Sequence, residues 1–187
     1  MEEKRREVNV KEKVEEIKNI ISIDADELYD VCLYAINDLK FQKAYASSVD
    51  TDHRHHAYPG GLLVHTCEVV DICQSVGLIT PSLRDVNLSV LYTAAIWHDY
   101  GKIWDYDEDG HKFEFTLQTD HILRSNSKFL DAAAKYNIST DVMIPISACI
   151  LSYHGRKEYG AIIEPATMEE HILHYADMLS AKFGVGR

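Results

Sequence analysis

A histidine followed directly by an aspartate, His98-Asp99, ends an apolar helical segment of this sequence. Other residues that can bind a metal lie far from this pair, and each ends or interrupts a segment whose apolar spacing turns it inward. Burying imidazoles and carboxylates without partners costs several kcal/mol, and a divalent metal is the simplest partner that they can share. The sequence therefore predicts a metal site built from His98-Asp99 and from His65, His121, His154 and Asp177.

Helical spacing shows why these residues are expected to face inward. His65 lies three residues after Leu62 and four before Val69, so the three side chains share one helix face. The same spacing places His98, His154 and Asp177 on the apolar faces of their own helices. For any single histidine, a core histidine or a helix cap is the better explanation. For His65, His98, Asp99 and Asp177 together, metal binding is favoured, because chance would have to place all four inward.

The composition is that of a globular protein, with 187 residues, 46% hydrophobic and 26% charged. No apolar run approaches the ~20 residues that span a bilayer, and residues 1–13 have no apolar core of a secretory signal. We therefore expect no membrane association and a cytoplasmic location. The four cysteines form no C-x-x-C pair, which favours free buried thiols over disulfides. We expect one domain over residues 1–187, with N-terminal helices at 1–40 and a metal-binding core at 41–182.

The formal net charge of -11 limits the partners of this protein. Proteins that track long nucleic acids use lysine and arginine to neutralise phosphates, but here Asp and Glu outnumber Lys and Arg by 30 to 19. We therefore expect no binding of long nucleic acids. The expected partner is a small phosphorylated substrate, either a nucleotide or a short oligonucleotide. The oligomeric state stays open.

The apolar periodicity predicts an all-α bundle of about seven helices, with a short loop or hairpin near residues 104–113. Capping boxes are expected at Asp24–Glu27 and Thr167–Glu170, and Gly101 is expected as the C′ residue that stops a helix. Residues 47–61 are polar and rich in histidine, which indicates a loop. The predicted helices cover about 10–21, 28–39, 62–75, 82–100, 120–136, 145–154 and a final segment from 168.

Longer motifs around these residues resemble a known family. The ordered pattern H…HD…D is matched by His65, His98-Asp99 and Asp177, as in the HD-domain metal-dependent phosphohydrolases. The chain is most similar to the HD domain of YhaM-type 3′-5′ exoribonucleases, and the similarity covers about residues 41–182. It is carried by the segments HHAYPGGLLVHT (55–66), WHDYGK (97–102), DHI (120–122), LSYHG (151–155) and HYAD (174–177).

The resemblance implies a helical bundle and a set of metal ligands. In the family pattern, one metal is held by His65, His98, Asp99 and Asp177. In the two-metal members, Asp99 bridges to a second ion that is bound at positions matching His121 and His154. One or two divalent ions are therefore expected, from among Mn²⁺, Fe²⁺, Mg²⁺, Co²⁺ and Zn²⁺. YhaM-type enzymes also carry an OB domain. This sequence has no strand-rich segment that is expected to form one.

Several polar residues near the expected metal site are candidates for catalysis or substrate binding. Lys102 follows the helix that ends at His98-Asp99, where its charge can meet a phosphate oxygen. An exposed lysine favoured by the helix dipole explains Lys102 nearly as well. In the polar loop, Arg54, His55 and His56 are candidates for phosphate contact or leaving-group protonation. A solvated histidine-rich loop is an equal alternative for these three.

The function predicted is a metal-dependent phosphohydrolase that cleaves a phosphate ester of a nucleotide or short oligonucleotide with a metal-activated water. Two alternatives remain open. One is a 3′-5′ exoribonuclease like the YhaM-type enzymes, and the other is a non-catalytic HD module that binds a metal or nucleotide. The complete ligand set favours an enzyme. Among enzymes, a mononuclear nucleotidase and a binuclear phosphodiesterase differ in whether His121 and His154 reach the metal.

Overall fold

The computed structural model describes residues 10–52, 54–79, 85–117 and 119–183, and these residues form an all-α bundle. This confirms the predicted fold class. Short 3-10 turns connect several of the helices, and one antiparallel bridge joins Tyr106 to Lys112 in the predicted hairpin region. The seven α-helices of the described part are α1 (Val10–Asp24), α2 (Tyr29–Ile36), α3 (Gly61–Ile79), α4 (Leu88–Trp97), α5 (Asp120–Lys135), α6 (Thr140–Ser152) and α7 (Met168–Phe183).

Helix α4 forms the centre of the bundle. Its residues from Val90 to Trp97 are all buried. A helix that is apolar on every side has no face suited to water, so it must be covered all round. Helices α1, α2, α3, α6 and α7 all pack against it. The His98-Asp99 pair follows α4 directly and is therefore held deep in the protein, where both side chains are inaccessible to solvent.

Mutual packing of three helices brings the distant ligand candidates to His98-Asp99. Helix α3, which carries His65, packs against α4 and α7, and α7, which carries Asp177, also packs against α4. Helix α6 lies against α4, α5 and α7. It therefore presents its C-terminal end, with Tyr153 and His154, to the same region.

Some local predictions were wrong. Residues 85–87 are not helical, and α4 begins at Leu88, where the Asn87 side chain accepts a hydrogen bond from Val90 N. Residues 82–84 lie outside the described residues. Helix α6 begins at Thr140 rather than near residue 145 and includes Pro145. Leu39, which the apolar periodicity placed in the second helix, lies beyond the end of α2 and is 68% exposed.

Of the two expected capping boxes, only the second is present. Asp24 belongs to α1, and Leu28, with no side-chain cap, precedes α2. At α7, the Thr167 hydroxyl accepts from Glu170 N at 3.3 Å, and the Glu170 carboxylate accepts from Ala166 N. The two residues bond reciprocally, as in a capping box, except that the carboxylate of Glu170 binds the N–H of Ala166 rather than that of Thr167.

Gly101 has a role different from the one predicted. It does not stop α4 but lies in the 3-10 turn Tyr100–Trp104, where its N–H donates to Ser125 Oγ at 2.7 Å. A Cβ atom at Gly101 would lie 2.1 Å from the carbonyl oxygen of His121. Only glycine therefore lets α5 approach this turn, and the approach places His121 beside Asp99.

All four cysteines are buried and free, as predicted. None of the helices in the described part of the chain has the length and apolar character needed to cross a bilayer.

Candidate metal centre

Four side chains from α3, α7 and the end of α4 converge on one point. His65 Nε2 lies 3.3 Å from His98 Nε2, 3.5 Å from Asp99 Oδ2 and 3.1 Å from Asp177 Oδ1. The four potential ligand atoms all lie within 4.8 Å of one another. Ligands that share one ion at about 2.0–2.2 Å have similar separations. The structure thus brings together the four residues that the sequence grouped.

Hydrogen bonds fix the orientation of His65. Its Nδ1 lies 2.9 Å from Ser180 Oγ, and the Ser180 hydroxyl donates to Glu68 Oε2 at 2.8 Å. Because the only proton of Ser180 points to Glu68, Nδ1 of His65 must be the donor to Ser180. The Nε2 atom of His65 therefore faces the other three side chains. Metal-binding histidines use this kind of support for the nitrogen that does not bind the metal.

His98 is oriented in the same way. Its Nδ1 donates to the Ala95 carbonyl oxygen at 2.7 Å, which leaves the lone pair of Nε2 directed at His65. Burial alone would lower the pKa of His65, but the carboxylates of Asp177 and Asp99 raise it above its ordinary value. A metal cation bound at His65 Nε2 would compete with a proton for this nitrogen.

Asp99 is the electrostatic centre of the cluster. Burial would raise its pKa, but the ammonium of Lys102 and the imidazole of His98 hold it well below the usual range. Lys102 Nζ lies 2.7 Å from Asp99 Oδ2, and its side chain is only 12% exposed. The Asp99 carboxylate correspondingly raises the pKa of Lys102, against the effect of burial. Lys102 is thus not the exposed helix-end lysine of the alternative interpretation.

The donor set fits a divalent metal. Two imidazole nitrogens and two carboxylates converge, and both histidines have their second nitrogen satisfied by protein acceptors. This mixed set suits the divalent metals expected from the sequence without selecting one of them. Of the four side chains, Asp177 is the most accessible at 16% exposed, so the open side of the cluster lies next to it.

Of the two candidate ligands for a second ion, His121 lies beside Asp99 and His154 lies next to His121. His121 Nε2 is 3.8 Å from Asp99 Oδ1, and its ring centroid is 5.4 Å from that of His154. The Tyr153 hydroxyl lies between His121 and Asp99. It donates to Asp99 Oδ1 at 2.7 Å and is 2.8 Å from His121 Nε2. Burial and the charge of Asp99 raise the pKa of Tyr153, so it keeps this proton.

The polar loop places two histidines at the cluster. The ring centroid of His55 lies 5.0 Å from that of His65, and His56 is fully buried with Nε2 3.2 Å from Glu68 Oε2. Burial and the charge of Lys102 lower the pKa of His55 to about 3. His55 is therefore neutral at neutral pH. Arg54 is exposed, and its guanidinium donates to the Val49 carbonyl oxygen at 3.2 Å.

A second set of potential ligand atoms comes from His55, His56 and His65. It shares His65 with the first set. Because Nδ1 of His65 donates to Ser180, Nε2 is its single coordinating atom and can serve one set at a time. Gly61 permits the close approach of this loop to α3, since a Cβ atom there would lie 1.9 Å from the His56 carbonyl oxygen.

The remaining histidines have other surroundings. His174 donates from Nδ1 to the Tyr153 carbonyl oxygen at 2.7 Å and thereby holds the segment that carries Tyr153. His111 is exposed and pairs with Asp50, and His171 is exposed on α7. The sequence also predicts a surface position for His53, which lies outside the described residues.

Sequence reasoning missed three residues that position the cluster, namely Glu68, Tyr153 and Ser180. Each left a signal. Glu68 follows His65 by three residues and Ser180 follows Asp177 by three, so each lies one turn from a ligand candidate on the same helix face. Tyr153 directly precedes His154 in the segment LSYHG (151–155), one of those that carry the family resemblance.

The hydrogen bond from His65 to Ser180 predicts a measurable effect on metal affinity. We expect Ser180→Ala to weaken Mn²⁺ binding by about 10- to 100-fold, because His65 loses the partner that sets its tautomer and ring orientation. Competition with a chelating dye measures this affinity. The matched control is Ser75→Ala on α3, where an exposed serine bonds only the Asp71 carbonyl oxygen. Equal affinities in the two variants would contradict the role assigned to Ser180.

Comparison with known proteins identifies the class that this bundle and cluster define. The family model for the HD domain matches residues 62–182, which include His65, His98, Asp99 and Asp177. The chain therefore belongs to the HD-domain family, a family of metal-dependent phosphohydrolases.

A curated relative is the 3′-5′ exoribonuclease YhaM of Bacillus licheniformis. It is 29% identical to this chain over 150 residues, which cover 78% of this chain and 46% of that protein. The chain thus spans about half the length of this relative. No solved structure matches the chain.

Proposed function

We propose that this protein is a metal-dependent phosphohydrolase that cleaves a phosphate ester of a nucleotide or short oligonucleotide. The observation that carries the proposal is the convergence of His65, His98, Asp99 and Asp177, with Lys102 in contact with Asp99. Membership of the HD-domain family and the similarity to an exoribonuclease support the same reaction class.

Each residue contributes differently to this chemistry. A divalent metal held by His65, His98, Asp99 and Asp177 would activate a water and polarise the phosphoryl oxygen. The hydroxyl of Tyr153 and the ammonium of Lys102 hold the Asp99 carboxylate in place. Lys102 can also offer its charge to a non-bridging phosphate oxygen of the substrate, whose negative charge grows during the reaction.

Neutral imidazoles complete the site. Burial and the neighbouring His121 lower the pKa of His154 to about 4. Burial and the charge of Lys102 likewise lower the pKa of His55 to about 3. Both are therefore neutral at neutral pH, which suits them to bind a cation rather than to protonate a leaving group. His56, fully buried next to Glu68, and Arg54, exposed on the same loop, remain candidates for contacts with the substrate.

The reaction class is tested with a panel of nucleoside mono-, di- and cyclic phosphates and short RNA and DNA strands. We expect turnover of at least one class by protein loaded with Mn²⁺ or Mg²⁺, its loss in EDTA, and its recovery when metal is restored. Protein carrying Asp99→Asn, purified in parallel, controls for contaminating nucleases. Absence of turnover by the metal-loaded protein on every substrate would favour the non-catalytic module.

A 3′-5′ exoribonuclease is the second candidate, favoured by the similarity to the Bacillus exoribonuclease. The net charge of -11 predicts few phosphate contacts and hence a shallow salt dependence. Each such contact adds about -0.7 to the slope of log affinity against log salt for single strands. Turnover measured from a dinucleotide to a long strand at two salt concentrations separates the candidates. Processive decay of long RNA with a steep slope would establish the exoribonuclease.

We further predict two metals per chain, the second bound by His121 and His154 with Asp99 shared. For this, the Nε2 atom of His121 must exchange its hydrogen bond to Tyr153 for the cation. We expect His121→Ala and His154→Ala each to lose one equivalent and about 10²-fold in activity, which corresponds to about 2.7 kcal/mol. Titration with Mn²⁺ under calorimetric detection measures the stoichiometry. Saturation at one equivalent, with both variants fully active, would indicate a mononuclear nucleotidase.

A further inference from the structure

One carboxylate oxygen joins the metal centre to the polar loop of residues 47–61. Glu68 lies on α3, one turn after His65, and its side chain is only 18% exposed. The Ser180 hydroxyl donates to Oε2 of Glu68 at 2.8 Å, and Nε2 of His56 lies 3.2 Å from the same atom. An ionised carboxylate oxygen only accepts hydrogen bonds, and it can accept more than one. Two separate parts of the chain thus meet at one acceptor.

Glu68 sets the direction of the hydrogen bonds that reach His65. A serine hydroxyl can donate to a ring nitrogen or accept from it, and its single proton decides which. Here the proton of Ser180 is directed to Glu68, so its oxygen accepts from Nδ1 of His65 at 2.9 Å. Without the carboxylate, the Ser180 proton could turn to Nδ1, and a neutral His65 would then carry its own proton on Nε2. That nitrogen faces the other ligand candidates, and it has to be free of a proton to bind a metal.

The same carboxylate faces a strained residue of the loop. His56 is completely buried, and its φ of 46° lies in the left-handed region, where a residue with a Cβ atom stays only if its surroundings hold it. Its carbonyl oxygen accepts from Tyr58 N at 3.0 Å and from Ala46 N at 3.3 Å. Its Nε2 forms no hydrogen bond of ideal geometry within the described part of the chain, and its charged contact is the Glu68 carboxylate. Glu68 therefore supplies the charge that faces this buried nitrogen.

We propose that Glu68 is a positioning residue that fixes the tautomer of His65 through Ser180 and ties the polar loop to the metal centre through His56. Fixing either neighbour orients the carboxylate for the other, so metal binding at His65 and the position of the loop are coupled. Such a coupling is reciprocal for binding free energies. The loop also carries the candidates for substrate contact, which Glu68 thereby holds beside the metal centre. The inference rests on the proposed function only in taking Nε2 of His65 as a metal ligand.

The first test is nuclear magnetic resonance of protein with ¹⁵N-labelled histidine, in EDTA and without substrate. In the unchanged protein, the buried Nδ1–H of His65 should give a slowly exchanging resonance, assigned by its loss in His65→Gln. Glu68→Leu should lose this resonance, because the Ser180 proton turns to Nδ1. Glu68→Gln should keep it, since its amide oxygen can still accept from Ser180. Should Glu68→Leu fail to fold, Glu68→Asp takes its place, because its shorter side chain withdraws the oxygen from Ser180.

Metal affinity gives the second test, measured by competition for Mn²⁺ with a chelating dye. We expect Glu68→Leu to weaken binding about 10- to 100-fold, the range for the loss of such a supporting partner, and Glu68→Gln to recover most of the affinity. The matched control is Asp71→Leu, which removes one carboxylate from the next turn of α3 and leaves Ser180 its partner. Because Glu68 acts on the metal through Ser180, Glu68→Leu should weaken binding less than about 2-fold further in protein that already carries Ser180→Ala.

The third test follows the loop by hydrogen–deuterium exchange of residues 54–58, detected by mass spectrometry. Amide exchange reports how often a segment opens locally. Mn²⁺ should slow the exchange of this segment in the unchanged protein, because a fixed His65 keeps Ser180 and Glu68 in place beside His56. In Glu68→Leu, at a Mn²⁺ concentration that saturates the variant, the exchange of the segment should no longer respond to the metal.

The outcomes keep this inference apart from the proposed function. A His65 Nδ1–H resonance and a Mn²⁺ affinity that Glu68→Leu leaves unchanged would overturn the role of Glu68, whatever the protein hydrolyses. Full additivity of Glu68→Leu and Ser180→Ala would also overturn it. Equal loop exchange with and without Mn²⁺, or no Mn²⁺ binding by the unchanged protein, would overturn the coupling to the loop. A tautomer and an affinity that depend on Glu68, in a protein that hydrolyses no phosphate ester, would contradict the proposed function alone.

Discussion

Replacing Asp99 by asparagine is expected to remove the metal and the hydrolytic activity together. Asp99 contacts His65, His98, Lys102 and Tyr153, so its carboxylate has contacts on every side of the cluster. An amide keeps the shape of the side chain but loses the charge that attracts the cation. Without several kcal/mol of stabilisation from the metal, activity should fall by about 10³-fold or more.

Elemental analysis and steady-state kinetics on the same preparation measure both effects. The buried ammonium of Lys102 also loses its counter-ion in Asp99→Asn, which lowers the free energy of unfolding by roughly 3–5 kcal/mol. Circular dichroism therefore has to confirm that the variant is folded. The matched control is Asp38→Asn, which removes a carboxylate that accepts from the Tyr100 hydroxyl at 2.6 Å. Full metal content in Asp99→Asn would refute the assignment of this residue.

Replacing Lys102 by methionine should have the second largest effect, and it should separate activity from metal content. Methionine keeps the length of the side chain and removes the ammonium that we propose to contact the substrate phosphate. We expect about a 10²-fold loss of turnover, since one charge-assisted phosphate contact contributes about 1.5–3 kcal/mol. The metal content should stay unchanged or rise, because the variant removes a cation from beside Asp99.

Lys102→Arg is the matched comparison, because it keeps the charge in a different shape. It should recover part of the activity lost in Lys102→Met. Turnover of Lys102→Met at the rate of the unchanged protein, at saturating metal, would show that the lysine only neutralises Asp99 in the metal-free state.

The periodic part of the fold could be predicted from sequence. Each helix has an apolar face at helical spacing, and His65 and His98 were recognised because they interrupt such faces. Helix ends were predicted less well, because they depend on local hydrogen bonds. The start of α4 is set by the Asn87 cap and not by its apolar pattern.

Contacts between helices explain what sequence could not predict. The Tyr153 hydroxyl lies between His121 and Asp99 because α5, α6 and the turn at Gly101 meet at particular distances. No periodicity within one helix contains this information.

The structure brings four of the predicted ligands within reach of one ion, and their binding of a metal stays a prediction. We assign Nε2 of both histidines as ligand atoms, because Nδ1 of His65 donates to Ser180 and Nδ1 of His98 donates to Ala95. The alternative set of His55, His56 and His65 would place an ion on the side of the polar loop.

Anomalous diffraction from crystals of the Mn²⁺-loaded protein locates the ion and its ligands. We expect an anomalous peak about 2.0–2.3 Å from Nε2 of His65 and of His98 and from one carboxylate oxygen each of Asp99 and Asp177. An ion bound by His55 and His56 instead, or no peak within reach of Asp99 at saturating Mn²⁺, would contradict it.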